Sequence, residues 1–392
     1  MKVLFLFSLF FLSSCIFSSE SQSSNNTSQI NLTPKTILFW STEEKINGFK
    51  NINEIFPTSL IKKSDSPYPL TYELIDIDNL TYIYKGKKYT IEDYIQAFKV
   101  AGLIIIRDGK ILHESYNFGN NEESKWISFS VTKSVTSMLL GAAIKDGFIN
   151  SVKDPVVSYL PQLRGSHYDD VSIEQILHMS SGVSWNEDYT DPNSDVSVAS
   201  GFNSLKLYDY LRGLGTSSKP GNKFNYNTAE TNLIGGLVRS ATGNNLSKYL
   251  EQKIWKPFGM EFDAYWVLDY DYNIELGGCC INATLRDYAR IGIFALNNGT
   301  LENNLNILPK NWMKESTTSS PNLEYYGYQW WLDGPNYNSY YADGIFGQFI
   351  WIDPDSKTIV AMHSARDYAG VNDFVGGHRL SFMVSLIKEI NK

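Results

Sequence analysis

A serine and a lysine three residues apart, Ser130 and Lys133, could do covalent chemistry in the stretch SFSVTKSVTSMLLGAAI (Ser128 to Ile144). On a helix, residues at i and i+3 share a face, so the amine lies within reach of the hydroxyl. A serine hydroxyl is a weak nucleophile until a base takes its proton. A lysine can be that base once burial or a nearby cation lowers its pKa toward neutrality. If Ser130 opens the helix, the helix N-terminus favours negative charge beside it. The Ser130 backbone N–H can then donate to an oxyanion. The spacing also occurs at Ser59/Lys62 and Ser385/Lys388, so context has to choose. Ser385 lies deep in a terminal helical pattern, and Ser59 follows Pro57 in an irregular lead-in. Only Ser130 follows a hairpin and opens a helix rich in small residues.

The elements that position this pair follow from local pattern. AGLIIIRDGKILHESY (Ala101 to Tyr116) sets two apolar runs around Asp108-Gly109, a type I′ turn pair, and predicts a hairpin. The next helix repeats Val131, Val135, Met138, Leu139 and Ala142 at helical spacing. Gly141, Ala142 and Ala143 predict close packing against a sheet, and Asp146-Gly147 ends the helix. From about 150 to 320 the pattern is helices and loops with few strands. SIEQILHM (Ser172 to Met179) is capped at Ser172, and TLRDYARIGIFALNNG (Thr284 to Gly299) is amphipathic. Strand-like runs return at Tyr326 to Asp333, Gly347 to Pro354 and Thr358 to Ser364, before a last helix near Phe374 to Ile390. The class is therefore α/β (α+β). One antiparallel sheet is built from both chain ends and flanked by helices, beside a mostly helical second subdomain, with a cleft between the layers.

In this order the segments resemble the serine β-lactamase/penicillin-binding-protein superfamily, whose first signature is S-x-x-K. Within it they are most similar to class C-like esterases and the 6-aminohexanoate-dimer hydrolase type. The resemblance covers residues 36 to 390. It is carried by GLIIIRDGKILHESY, SFSVTKSVTSMLLGAAIKDGFI, DPVVSYLPQL, ILHMSSGVSWNEDYTDP, FNYNTAETNLIGGLV, GGCCINATLRDYARIG, YGYQWWLD and DGIFGQFIWIDP. It implies a β-lactamase/DD-peptidase-like fold.

The resemblance also assigns roles. Tyr226 in FNYNTAET becomes the proton carrier between Ser130, Lys133 and the leaving group, with Thr228 where the second signature, Y-x-N, has asparagine. A phenol in that role is expected to have a lowered pKa beside a lysine ammonium. The third signature, K/H-T/S-G, is best matched by Ala342-Asp343-Gly344. It has no cation, and an aspartate there repels a carboxylate, which counts against β-lactamase or D-alanyl peptidase activity. The Ile345 N–H becomes the second oxyanion donor. Gly344 and Gly347 let this strand lie close to a substrate. Tyr189 becomes the residue that closes over the substrate and bonds its amide. Around it, Glu187, Asp188, Asp191 and Asp195 read either as a solvated loop or as a preference for a substrate amine.

The 392-residue chain is 43% hydrophobic, enough for a full core, and its net charge of −8 without a basic run argues against nucleic acid. There is no G-x-S-x-G elbow, no H-E-x-x-H and no P-loop, so no metal, nucleotide or other cofactor is expected. His113, His167, His178, His363 and His378 read as structural. Cys279 and Cys280 read as two small, partly buried thiols, since a vicinal disulfide is strained.

At the N-terminus, Lys2 precedes an apolar run (Val3 to Leu12) too short to span a bilayer. Leu12-Ser13-Ser14-Cys15 resembles a bacterial lipobox, which implies a signal peptide over 1–15, a lipidated Cys15 and anchoring to a bacterial membrane, periplasm-facing or outer. A polar tether (16–35) then leads to the hydrolase domain (36–392), with its helical subdomain over roughly 150–320. The chain so far reads as a lipid-anchored serine hydrolase that passes through an acyl-enzyme. Its partner is a small ester or amide, as for a carboxylesterase or a 6-aminohexanoate-oligomer amidase. The alternatives are a peptidoglycan D-alanyl peptidase or β-lactamase, and a non-catalytic surface lipoprotein.

Overall fold

The expected hairpin forms from Val100–Arg107 and Lys110–Tyr116. Asp108 and Gly109 both take the left-handed conformation (φ 49° and 77°) that a type I′ turn requires. The computed structural model describes residues 34–391, so Cys15, the leader and the tether up to residue 33 lie outside the described residues. Side chains of Val100–Arg107 alternate between two apolar layers. Ile104 and Ile106 pack with the helix Val131–Lys145, and Leu103 and Ile105 pack under the C-terminal helix Asp373–Ile390.

This strand belongs to a seven-stranded sheet. Its order is Trp331–Leu332, Tyr340–Asp343, Phe349–Asp353, Thr358–Ser364, Val100–Arg107, Lys110–Tyr116, Thr71–Tyr72. Neighbours pair antiparallel except the last two, which are parallel. Strands from both parts of the chain therefore share one sheet, as the sequence pattern predicts. The expected strand at Tyr326 to Asp333 shortens to two residues. Gly327 N–H donates to Trp330 O and Gln329 is left-handed (φ 62°), so the run turns back on itself.

The few strands of the middle region, Ala264–Val267 and Ile281–Thr284, belong to a second sheet. It runs Thr58–Ile61, Ala264–Val267, Ile281–Thr284, Lys125–Ile127. Each strand is short and its partners are remote in sequence, as in the pairing of Trp126 with Ala283. Ser59 lies in this sheet, where residues at i and i+3 point to opposite faces. Ser385 sits on the C-terminal helix, across the large sheet from Ser130. Gly141 meets Trp312 instead of a sheet: a Cβ there would lie 2.6 Å from the indole.

Candidate active site

Ser130 stands at the N-cap of the helix Val131–Lys145, 8% exposed, and its side chain makes no capping bond. The strand Lys125–Ile127 delivers it through a sharp turn in which Phe129 is left-handed (φ 43°). That conformation costs a β-carbon-bearing residue about 1–2 kcal/mol. Burial of the Phe129 ring against Phe49 and Phe346, each with centroids 5.2 Å away, offsets the cost. The turn is also pinned to the smaller sheet. Ser128 N–H donates to Ile281 O at 2.8 Å, and Ile281 N–H donates to both Ser128 Oγ and Thr132 Oγ1 at 2.9 Å.

Lys133 is 1% exposed, one turn along the same face. Its Nζ donates to Ser130 Oγ at 3.1 Å and to the Gly278 carbonyl at 2.8 Å. Gly277 and Gly278 can hold that carbonyl there because they press on the helix Thr228–Thr242. A Cβ would lie 2.6 Å from Thr231 O at Gly277 and 2.7 Å from Thr228 O at Gly278. Burial lowers the Lys133 pKa from 10.5 to about 8, and the Glu187 carboxylate pulls it back up. The amine therefore titrates where a general base is useful.

The Tyr226 hydroxyl lies near Ser130, and Lys133 Nζ is 5.3 Å from its ring centroid. The ring stacks on Trp331 (5.7 Å). The expectation that its pKa falls is overturned. Burial, then the Glu187 carboxylate, push it up; only the nearby Ser130 hydroxyl pulls it down. The phenol is held neutral, and Lys133 is the group poised near neutrality.

Glu187 is a site residue that sequence reasoning placed only in an undifferentiated acidic loop. Its carboxylate accepts from Tyr189 OH (2.6 Å), Thr228 N–H (3.0 Å), Thr228 Oγ1 and Trp185 Nε1. Thr228 starts the helix Thr228–Thr242, where a carboxylate is favoured by the helix dipole. The threonine that departs from the Y-x-N signature thus anchors Glu187. Nothing local in WNEDYT marks this role, because Thr228 is 41 positions away. Tyr189, half-buried, lines the same cavity as Ser130, with its hydroxyl engaged by Glu187.

On the opposite wall, the Ile345 carbonyl accepts from Arg366 Nη2 and from Gly370 N–H, both at 2.8 Å. Among the described residues no group accepts from Ile345 N–H or Ser130 N–H. Gly344 brings the segment in: a Cβ there would lie 2.7 Å from Ser128 O and 2.5 Å from Gln348 Oε1. Gly347 is placed differently from expectation. It is left-handed (φ 95°), its N–H closes the turn onto Gly344 O, and a Cβ would meet Ser364 Oγ at 2.7 Å. It shapes the turn, and neither it nor Gly344 lines the Ser130 cavity.

Asp343 also differs from the sequence reading. It sits on the far face of its strand, paired with Arg379 Nη1 at 2.7 Å, because alternate residues of a strand face opposite ways. Its charge is compensated, and what remains against a carboxylate substrate is the lack of a cation at buried Ala342. Cys279 and Cys280 adjoin across a cis peptide bond, and both line the cavity.

The cavity beside Ser130 has a volume of about 150 Å³ and a largely apolar wall that includes Trp185, Val196, Phe202, Leu207 and Leu276. Among the described residues no His/Cys/Asp/Glu group is arranged to hold a metal ion, and no helix is long and apolar enough to cross a membrane. A serine with an adjoining low-pKa amine, a neutral phenol and two unengaged N–H groups can carry out acyl transfer to a hydroxyl.

Residues 90–380 match the family described as Beta-lactamase. A 6-aminohexanoate-dimer hydrolase of Paenarthrobacter ureafaciens is 26% identical over 341 residues, covering 81% of this chain and 84% of the relative. A solved structure from Bacillus anthracis, provisionally described as a 6-aminohexanoate-dimer hydrolase, superposes with a TM-score of 0.81 at 22% identity. It covers 92% of this chain and 98% of that one. A penicillin binding protein from Bacillus halodurans gives a TM-score of 0.59 at 17% identity, covering 76% and 99%. These structural likenesses show a β-lactamase/penicillin-binding-protein fold.

Proposed function

The chain belongs to the Beta-lactamase family, and from that premise we propose that it is a serine hydrolase acting on a small ester or amide through an acyl-enzyme at Ser130. The observation that carries this reading is the contact of Lys133 Nζ with Ser130 Oγ at 3.1 Å, with the lysine pKa lowered to about 8.

In the proposed reaction neutral Lys133 takes the Ser130 proton as Oγ attacks the carbonyl carbon. The Ser130 and Ile345 N–H groups stabilise the tetrahedral oxyanion. Tyr226, as a neutral phenol, hands a proton to the leaving group and is reprotonated from Lys133. Water then attacks the acyl-enzyme, with Lys133 again as base, and Ser130 is released. Short-chain esters are the broad substrate class. The name of the Paenarthrobacter relative, together with Tyr189 beside Ser130, supports amides of linear aminoacyl oligomers as the narrower one. We further propose export and lipid anchoring at Cys15, on its lipobox-like context; Cys15→Ala should release the chain from membranes, and retention would refute this.

The test is a burst with p-nitrophenyl acetate on protein lacking the leader. A stoichiometric burst that Ser130→Ala and Lys133→Ala abolish is expected. Turnover unchanged in Ser130→Ala would overturn the assignment of Ser130, and no burst at all would leave a non-catalytic scaffold.

A further inference from the structure

Two residues that line the Ser130 cavity each carry a buried polar atom with no hydrogen-bond partner among the described residues. Glu275, 4% exposed, uses Oε1 to accept from Ser247 N–H (3.2 Å) and Ser247 Oγ (2.5 Å), but no protein group bonds its Oε2. Arg239 lies near Tyr208, and its buried Nη1 has no partner among the described residues. Neither residue is in an ion pair among the described residues. Buried polar atoms are nearly always satisfied, and an unpaired one on a charged group is costly, so such a pair needs an explanation.

Their position supplies one. Thr228, Asn232 and Arg239 line the cavity from one face of the helix Thr228–Thr242, at i, i+4 and i+11. At 1.5 Å rise per residue, Thr228 and Arg239 are separated by roughly 16 Å of helix axis. The arginine side chain leans back toward the helix N-terminus and shortens that gap. Thr228 belongs to the Ser130 end through Glu187, and Arg239 belongs to the other end. Asn232 lies between them, and the rest of the wall is largely apolar. A cavity of about 150 Å³ has room for roughly five waters, which suits a slender chain of about six non-hydrogen atoms.

We propose that this cavity is a subsite for a linear aliphatic arm on the acyl side of the substrate, ending in a neutral carboxamide read by Arg239 and Glu275. This rests on the hydrolase reading of Ser130. A carboxamide oxygen accepts from Arg239 Nη1 while its N–H donates to Glu275 Oε2. The group is neutral, so it leaves one cation and one carboxylate in balance. A terminal carboxylate faces repulsion from Glu275, a terminal ammonium from Arg239, and a methyl group leaves both atoms unpaired. The substrate so described carries a second amide along the chain from the bond that is cut.

The test compares p-nitrophenyl esters of equal length, from butanoyl to octanoyl, ending in carboxamide, methyl, carboxylate or ammonium. At the best length the carboxamide ester should show a KM lower than the methyl ester by about tenfold or more. Arg239→Met and Glu275→Gln should each cut the ratio between these two esters several-fold; because both are measured on the same variant, general damage cancels. Equal kcat/KM for the two at every length, or a preference surviving both substitutions, overturns the subsite and leaves the Ser130 mechanism standing. If no ester turns over, the hydrolase reading fails, and calorimetry decides the subsite. Hexanamide should bind the protein more tightly than hexanoate or hexylamine, and both substitutions should weaken it; equal binding of all three refutes it.

Discussion

Replacing Lys133 by methionine should abolish turnover and make the protein more stable near neutral pH. Lys133 is 1% exposed, and its pKa is lowered from 10.5 to about 8 by burial. The folded pKa lies below the unfolded one, so between pH 8 and 10.5 the unfolded state holds more protons, and stability rises with pH across that window. At pH 7 the buried ammonium costs about 3 kcal/mol, an order-of-magnitude figure. Methionine fills a similar volume without charge. It loses the bonds to Ser130 Oγ and Gly278 O, which costs about 1 kcal/mol for the orphaned carbonyl. The net gain at pH 7 is about 2 kcal/mol. At pH 9.5 the charge cost falls to about 1 kcal/mol and the gain vanishes. Urea unfolding of both proteins at the two pH values reads this directly, because all other titrations cancel in the comparison. A Lys133→Met protein no more stable than its parent at pH 7, or a difference that does not change with pH, would refute the account of Lys133 as a desolvated base.

Other outcomes follow from the same geometry. The wild-type kcat/KM for a small ester should rise with pH to a plateau with a midpoint near 8, as Lys133 loses its proton. Glu187→Gln should move the midpoint to lower pH, since its carboxylate raises the lysine pKa; an upward shift in the pH–rate profile would contradict this. Gly344→Ala should lower kcat about a hundredfold with little change in KM, because its Cβ collides with Ser128 O and displaces the Ile345 N–H. Steady-state kinetics with kcat preserved would remove Ile345 from the oxyanion site. Tyr189→Phe should raise KM for amides and leave p-nitrophenyl acetate unaffected, and an equal effect on both would assign Tyr189 a purely structural role.

What the sequence determined by itself was mostly local. Asp108-Gly109 specified its turn because its two residues alone supply the left-handed conformations a type I′ turn needs. Ser130 and Lys133 came to one helix face because helical periodicity puts them there, and Ser172 capped its helix through bonds within four residues. The order of the motifs was enough to point to the superfamily.

Tertiary structure decided whatever depended on a remote partner. Ser59 and Lys62 have the same spacing as Ser130 and Lys133, but pairing of Thr58–Ile61 with Ala264–Val267 makes theirs a strand. The strands Ala264–Val267 and Ile281–Thr284 were hidden because four residues carry too little period to read. Asp343 reads from sequence as a charge at the site, but its strand face turns it to Arg379. The Tyr226 phenol was expected to be lowered by the lysine, but burial and Glu187 outweigh that attraction. Desolvation depends on every atom packed around a group, and those atoms come from all over the chain. So the pair at 130 and 133 was legible as chemistry, while the protonation states that let it work were set only by the folded protein.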